Sequence, residues 1–278
     1  MPGEYYQTHN FTIKPEELSK RNIVWTNGAS NEGRDSYGEY PTTFDFLAAQ
    51  RILRDIFPTL NMYIDNDRPL RILDIGCGNG LTTAPLISLI RALGLQVELL
   101  GGVDLLEKSA NEFITNVKPL QIAQIDSVQT DVVKLLPELS SLELNTVFMF
   151  YFLHWLSEPR AHQLFQQLRS VLQPGALVFG TTCSPFNLAL LGFVEEQWVK
   201  FAAAKSAFKH NRPFVSGPRG SRYNKTMTFW SPTAIRHLLK STGFSPHTVS
   251  TFKNPNWINQ YGDHFPENVF FSAILLPR

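Results

Sequence analysis

The chain has 278 residues, 43% of them hydrophobic and 18% charged, and 25 Lys+Arg against 24 Asp+Glu leave a net charge of +1. This is long enough to bury one sizeable core with embellishments, and the near-neutral charge, without any Lys/Arg cluster, excludes the electrostatic footprint of a duplex-binding protein. Two cysteines, Cys77 and Cys183, cannot build a disulfide framework or a four-ligand zinc site by themselves, so no metal is expected.

In chain order, residues 1–69 precede the first clear strand and read as an N-terminal helical lid. They hold a Gly/Asn/Ser-rich stretch, Asn27 to Gly38, and then a helix from about Thr43 to Phe57. Neither a basic nor an apolar leader pattern opens the chain, and the most apolar run, Val147 to Leu156, is about half the length of a membrane span. The reading is a soluble, cytoplasmic protein without a membrane span. The load of 21 Phe, eight Tyr and five Trp points to an apolar cavity or to a Phe-rich core.

From residue 70 onward, short apolar runs alternate with helical patterns, the signature of βαβ units and a parallel sheet. Arg71–Ile75, Val97–Val103, Thr146–Tyr151 and Ala176–Thr182 are nearly continuous in apolar residues, as strands buried on both faces should be, and a weaker strand lies near Ser127–Thr130. Ser157 as N-cap, Pro159 in the first turn and Gln173-Pro174-Gly175 at the end bound a helix over Glu158–Leu172, whose Leu164, Phe165, Leu168, Val171 and Leu172 form a core face. Ser231 caps a last helix that runs through Thr242 to Gly243, and strands follow at about Pro246–Phe252 and Val269–Leu276. Seven strands result. Residues 185–226 interrupt this rhythm as a helical cap insert, Leu188 to Lys209 followed by a Pro/Gly/Arg-rich loop from Asn211 to Lys225. The predicted fold is α/β: a Rossmann-like, seven-stranded, mostly parallel sheet with helices on both faces, in one domain divided as 1–69, 70–184, 185–226 and 227–278.

The stretch richest in chemistry is Arg71-Ile-Leu-Asp-Ile-Gly-Cys-Gly-Asn-Gly80, a buried strand running through Gly76, Cys77, Gly78 and Gly80 into a helix. Glycines at such a turn allow positive φ and close approach of a ligand to bare backbone, and the helix N-terminus that follows offers free N–H donors. The spacing is one residue short of the dinucleotide fingerprint, and Asp74 precedes it. A carboxylate there repels a diphosphate and attracts a ligand bearing an ammonium and a sulfonium.

Asp74, Gly76, Gly78 and Gly80 fit the D-x-G-x-G-x-G motif, and here the chain resembles the class I S-adenosylmethionine-dependent methyltransferases. The resemblance continues in family order: Gly102-Val103-Asp104-Leu105 is similar to the strand end whose acid takes the two ribose hydroxyls, and Gln129-Thr130-Asp131-Val132 to the one whose acid meets the adenine amino group. Leu172-Gln173-Pro174-Gly175 and Ser231-Pro232 through Gly243-Phe244 resemble the later turn and last helix, so the likeness covers about residues 70–278. It implies S-adenosylmethionine as cofactor and Asp74, Gly76, Cys77, Gly78, Gly80, Asp104, Leu105, Asp131, Val132, Phe150 and Tyr151 as its contacts.

On the acceptor side, the resemblance places the fourth strand's end beside the donated methyl group. Leu153-His154-Trp155 is similar to small carboxylate methyltransferases such as the juvenile hormone acid and trans-aconitate enzymes, which makes His154 and Trp155 the catalytic candidates. His154 and Trp155 read equally well as core residues. Tyr37, Cys183, Asn187 and Trp198 are candidate substrate contacts. Tyr5, Tyr6 and Trp25 could join Tyr37 in closing over the donor. The expected activity is methyl transfer to an apolar or aromatic small molecule, at a carboxylate or hydroxyl oxygen, in secondary metabolism, by a monomer or homodimer that binds no nucleic acid. A cyclase or dehydratase holding the donor structurally, and a non-enzymatic regulator, are the alternatives.

Overall fold

The buried apolar runs become strands because each can satisfy its backbone through neighbouring strands while both faces are covered. The computed structural model describes residues 6–8, 11–13, 56–60, 68–185, 211–216, 226–252 and 268–277. Among them, seven strands form one mostly parallel sheet. The chain divides into two compact units, Met1–Asp131 and Val132–Arg278.

In the first unit, β1 (Tyr6–Thr8) and β2 (Phe11–Ile13) pair antiparallel as a small separate hairpin, in a region read from sequence as helical. Residues 56–60 are helical, at the end of the helix expected there. The large sheet starts with β3 (Leu70–Ile75), followed by helix α1 (Thr83–Ala92), β4 (Val97–Asp104), helix α2 (Glu107–Val117) and β5 (Gln124–Gln129). β3 pairs with β4, and β4 with β5, all parallel. The right-handed βαβ logic places α1 and α2 as the crossovers. β3 buries five of its six residues, whereas β5 is mostly exposed, which is why its sequence QIDSVQ carries only a weak strand pattern.

The second unit opens with a short helix α3 (Val132–Leu135), β6 (Thr146–Phe150), a 3-10 turn over Leu153–Trp155, helix α4 (Glu158–Val171) and β7 (Leu177–Cys183). β6 and β7 are parallel. β8 (Phe214–Ser216) and β9 (Met227–Phe229) then pair antiparallel as a separate two-stranded ribbon. The sequence reading made residues 211–225 a loop; a three-residue strand among Pro, Gly and Arg has too short a pattern to show the period-2 signal. Helix α5 (Pro232–Ser241) leads into β10 (Phe244–Phe252) and β11 (Asn268–Leu275), which run antiparallel to each other, and β11 runs antiparallel to β7.

The helix boundaries follow their caps. The Ser231 hydroxyl accepts from the Ala234 N–H at 3.1 Å, Pro232 occupies the first turn, and Gly243 leaves the helix at φ +90°. At α4, Ser157 has the extended backbone of an N-cap, but its side chain makes no cap hydrogen bond. The core of this unit is aromatic: Phe165 stands edge-on to Phe244 at 5.5 Å and packs near Phe271, and Phe148 packs near Phe179.

Candidate functional site

The glycine turn after β3 is tied down from several directions. The Gly76 and Cys77 amides both donate to the Val103 carbonyl, at 2.8 and 3.2 Å, and the Gly80 amide donates to the Cys77 carbonyl at 3.0 Å. Asn116 from α2 donates to the Asn79 carbonyl at 2.8 Å. The three glycines have φ of +68°, +53° and +78°, but their surroundings differ. A Cβ on Gly80 would meet the Phe113 ring at 3.0 Å, so that glycine serves packing. A Cβ on Gly78 would meet nothing within 4 Å, so this residue presents bare backbone to open space.

Asp104, the last residue of β4, faces the same turn. One carboxylate oxygen accepts from the Gly78 N–H at 3.0 Å and the other from the Leu106 N–H at 3.0 Å. Both oxygens are thus oriented before any ligand arrives, and each keeps a lone pair for another donor. The adjoining Leu105 and Leu106 are 67% and 48% exposed, apolar surface unusual for a strand end and suited to the face of a flat ring. Thr130 donates through its amide to the Asp104 carbonyl at 2.9 Å, fixing the chain just before Asp131, which is half-buried.

Asp74, near the end of β3, is buried, 2% exposed, and its carboxylate accepts from the hydroxyl of Thr83 in the first turn of α1. Burial pushes its carboxyl up to about 7; the Thr83 hydrogen bond opposes the rise and the Asp104 charge adds to it. Cys77 is buried too, its Sγ donating to the Gly78 carbonyl at 3.5 Å. Burial, and then the charges of Asp74 and Asp104, hold its thiol protonated. A thiol so raised is a poor nucleophile, and its place in the turn is one of packing.

The second unit holds the remaining donor-side candidates, Val132, Phe150 and Tyr151, and the acceptor-side candidates His154, Trp155 and Cys183. Val132 is buried at the start of α3, and Phe150 is buried at the end of β6 with its ring 5.2 Å from Phe148. Tyr151, expected to continue that strand, instead turns at φ +54°, a left-handed conformation that non-glycine residues rarely adopt. Its amide donates to the Thr181 carbonyl at 2.9 Å, which holds the turn in place. His154 follows, 3% exposed, its ring 4.7 Å from that of Trp155 and its Nδ1 without a partner among the described residues. Burial lowers its pKa to about 3, so the imidazole is neutral at physiological pH.

Cys183 lies buried with Met227 and Phe229, and partly buried Trp155 and Phe214 pack against this cluster. The structure thereby brings together two sequence candidates, Trp155 and Cys183, with three residues that sequence reading missed. Tyr37, Asn187 and Trp198, like Tyr5 and Trp25, lie outside the described residues, and of Tyr6 the backbone alone is described. Among the described residues no cluster of three or more His, Cys, Asp or Glu could hold a metal ion, and no helix is long and apolar enough to cross a membrane.

The model of the methyltransferase domain family matches residues 45–249. No curated protein matches the chain. Among solved structures it is similar to an Archaeoglobus fulgidus S-adenosylmethionine-dependent methyltransferase, with TM-score 0.54 and 16% identity over 89% of this chain and 100% of that one. It is similar also to the Burkholderia thailandensis 1,6-didemethyltoxoflavin-N1-methyltransferase bound to its substrate and S-adenosylhomocysteine, with TM-score 0.53 and 13% identity over 95% and 92% of the two chains. For the magnesium protoporphyrin IX methyltransferase from Synechocystis the TM-score is 0.50, with 17% identity over 94% and 99%.

Proposed function

The chain belongs to the methyltransferase domain family, and from that premise we propose that it uses S-adenosylmethionine to methylate an oxygen atom of an apolar or aromatic small molecule. The observation that carries the donor assignment is the pairing of open backbone at Gly78 with the Asp104 carboxylate that Gly78 itself orients. When bound, S-adenosylmethionine supplies an electrophilic methyl carbon on a sulfonium. The residues present fit it. Asp104 offers two preset oxygens to a ribose diol, Leu105 and Leu106 offer apolar surface to a purine face, and Asp131 stands at the next strand end for the adenine amino group. Asp74, poised near neutrality, is ionised by any cation placed beside it and so favours an ammonium over a neutral group.

On the acceptor side we assign His154 to holding the acceptor's polar atom. A buried imidazole that protonates only near pH 3 is a weak base, poorly matched to taking a proton from a phenol or alcohol at pH 7. It suits an acceptor that is already ionised, and an apolar carboxylic acid meets that requirement with its carboxylate. The aromatic wall of Trp155, Phe214 and Phe229 supports an apolar body for that acid.

The test is incubation with methyl-labelled donor and a panel of apolar carboxylic acids, phenols and amines. Label in a product that alkali releases as methanol supports a carboxylate acceptor. Label solely in alkali-stable nitrogen products overturns the assignment to oxygen, and conversion of an acceptor with the methyl group retained on the donor overturns methyl transfer.

A further inference from the structure

The 3-10 turn that carries His154 and Trp155 is held from a distant part of the chain. The Trp230 indole N–H donates to the Leu153 carbonyl at 3.2 Å, and the Trp230 amide donates to the Cys183 carbonyl at 2.9 Å. Trp230 is 1% exposed, so neither bond is shared with solvent. One residue thus fastens the turn after β6 to the end of β7. The same segment supplies Met227 and Phe229 to the apolar floor against which Trp155 rests. The turn itself starts from a left-handed Tyr151, and two reverse hydrogen bonds close it, from the Trp155 amide to the Phe152 carbonyl at 3.0 Å and from the Leu156 amide to the Leu153 carbonyl at 3.1 Å. Leu153 O therefore accepts twice, once from the turn and once from Trp230, using both lone pairs. A short 3-10 segment has poor hydrogen-bond geometry of its own and needs such external fixing to keep one conformation.

We infer that Trp230 is a positioning residue for methyl transfer, its indole N–H setting the orientation of the His154-Trp155 turn through the Leu153 carbonyl. The inference rests on the assignment of His154 to the acceptor, and it deepens that assignment by naming what aims the imidazole. Trp230 touches no reacting atom. Its contribution separates into two parts, ring volume in the core and one hydrogen-bond donor, and only the second bears on the turn.

The experiment replaces Trp230 by its benzothienyl isostere, which keeps the ring shape and puts sulfur where the N–H stood, with W230F as a second variant. Three readings are taken: the ring-nitrogen resonances of His154 in histidine-labelled protein, the affinity for S-adenosylhomocysteine, and kcat and KM for the acid methylated most rapidly in the panel. We expect the isostere to fold, to bind S-adenosylhomocysteine within about twofold of the parent, to shift or split the His154 resonances, and to raise KM for the acid about tenfold with a small change in kcat. His154 resonances and KM that stay at parental values in both variants would overturn the inference and reduce Trp230 to packing. Absence of methyl transfer by the parent protein would instead strike the proposed function, and the His154 resonances would still decide the role of the Trp230 N–H.

Discussion

The main-chain N–H of Gly78 donates to the carboxylate of Asp104 at 3.0 Å, across 26 residues of sequence. Two separate family-like motifs, one at the end of each of two adjacent strands, are therefore one physical object. The acid holds the turn open, and the turn holds the acid in position.

Substitution at Asp104 separates these two roles. Asp104→Asn keeps a carbonyl oxygen for Gly78 but removes the charge, and should weaken binding of S-adenosylhomocysteine about tenfold. Asp104→Ala removes both charge-assisted bonds to a diol, at about 1.5–3 kcal/mol each, and should weaken it about a hundredfold to ten-thousandfold, more than Asn does. Calorimetric titration of the folded variants gives the ranking, and equal loss in the two would deny the orienting role.

Gly78 and Gly80 should fail in different ways. Gly80→Ala forces a Cβ to 3.0 Å from Phe113 at φ +78°, so its main effect should be a loss of about 1–3 kcal/mol of stability. Gly78→Ala has room and should cost only about 1–2 kcal/mol of backbone strain. Gly78→Val fills ligand space and should abolish donor binding in a protein that still melts cooperatively. Denaturant melts alongside ligand titrations distinguish these outcomes.

Asp74 should make the ligand-free protein less stable as pH rises. Its carboxyl titrates near 4 when unfolded and is pushed up to about 7 by burial when folded. Between those values the unfolded chain releases a proton that the folded chain keeps, so stability falls through about pH 4–7 and the loss is complete above 7. Asp74→Asn should flatten this slope and make the protein relatively more stable at pH 8. An unchanged slope in urea melts across this range would show that Asp74 does not carry it.

His154 gives a slope of opposite sign over an overlapping pH range, so the two are separated by their single variants. Its folded pKa is lowered to about 3 by burial, so the unfolded chain takes up a proton below about 6.5 that the folded chain refuses. Stability is full above that value and is lost as pH falls toward 3, and His154→Phe should remove part of the loss. In catalysis His154→Ala should raise KM for a carboxylic acid with a small change in kcat. A fall in kcat of about 10²–10⁴ with loss of an acidic limb would make His154 a general base and favour a phenol or alcohol.

How much of this was legible in the sequence depends on the range over which each contact acts. β3, β4, β6 and β7 show themselves because burial on both faces writes a continuous apolar run into six or so residues, and α5 because Ser231, Pro232 and Gly243 mark its ends locally. β5 is weakly written because much of it faces solvent. The glycine spacing reads directly, but whether a given glycine faces a ligand or Phe113 depends on α2, which the motif does not contain. His154 reads equally as ligand and as core until its burial and its orphan nitrogen are seen. Trp230 was not legible: its partner Leu153 lies 77 residues earlier, and nothing in Phe229-Trp230-Ser231 beyond the cap of the next helix marks it.

The central claim is that the turn after β3 and the end of β4 form a seat for S-adenosylmethionine, and titration calorimetry with S-adenosylhomocysteine tests it most directly. The account predicts one binding site per chain in the parent protein, at least tenfold weaker in Asp104→Ala and absent in Gly78→Val while both variants remain folded. No binding to the parent, or equal affinity in all three proteins, would contradict it.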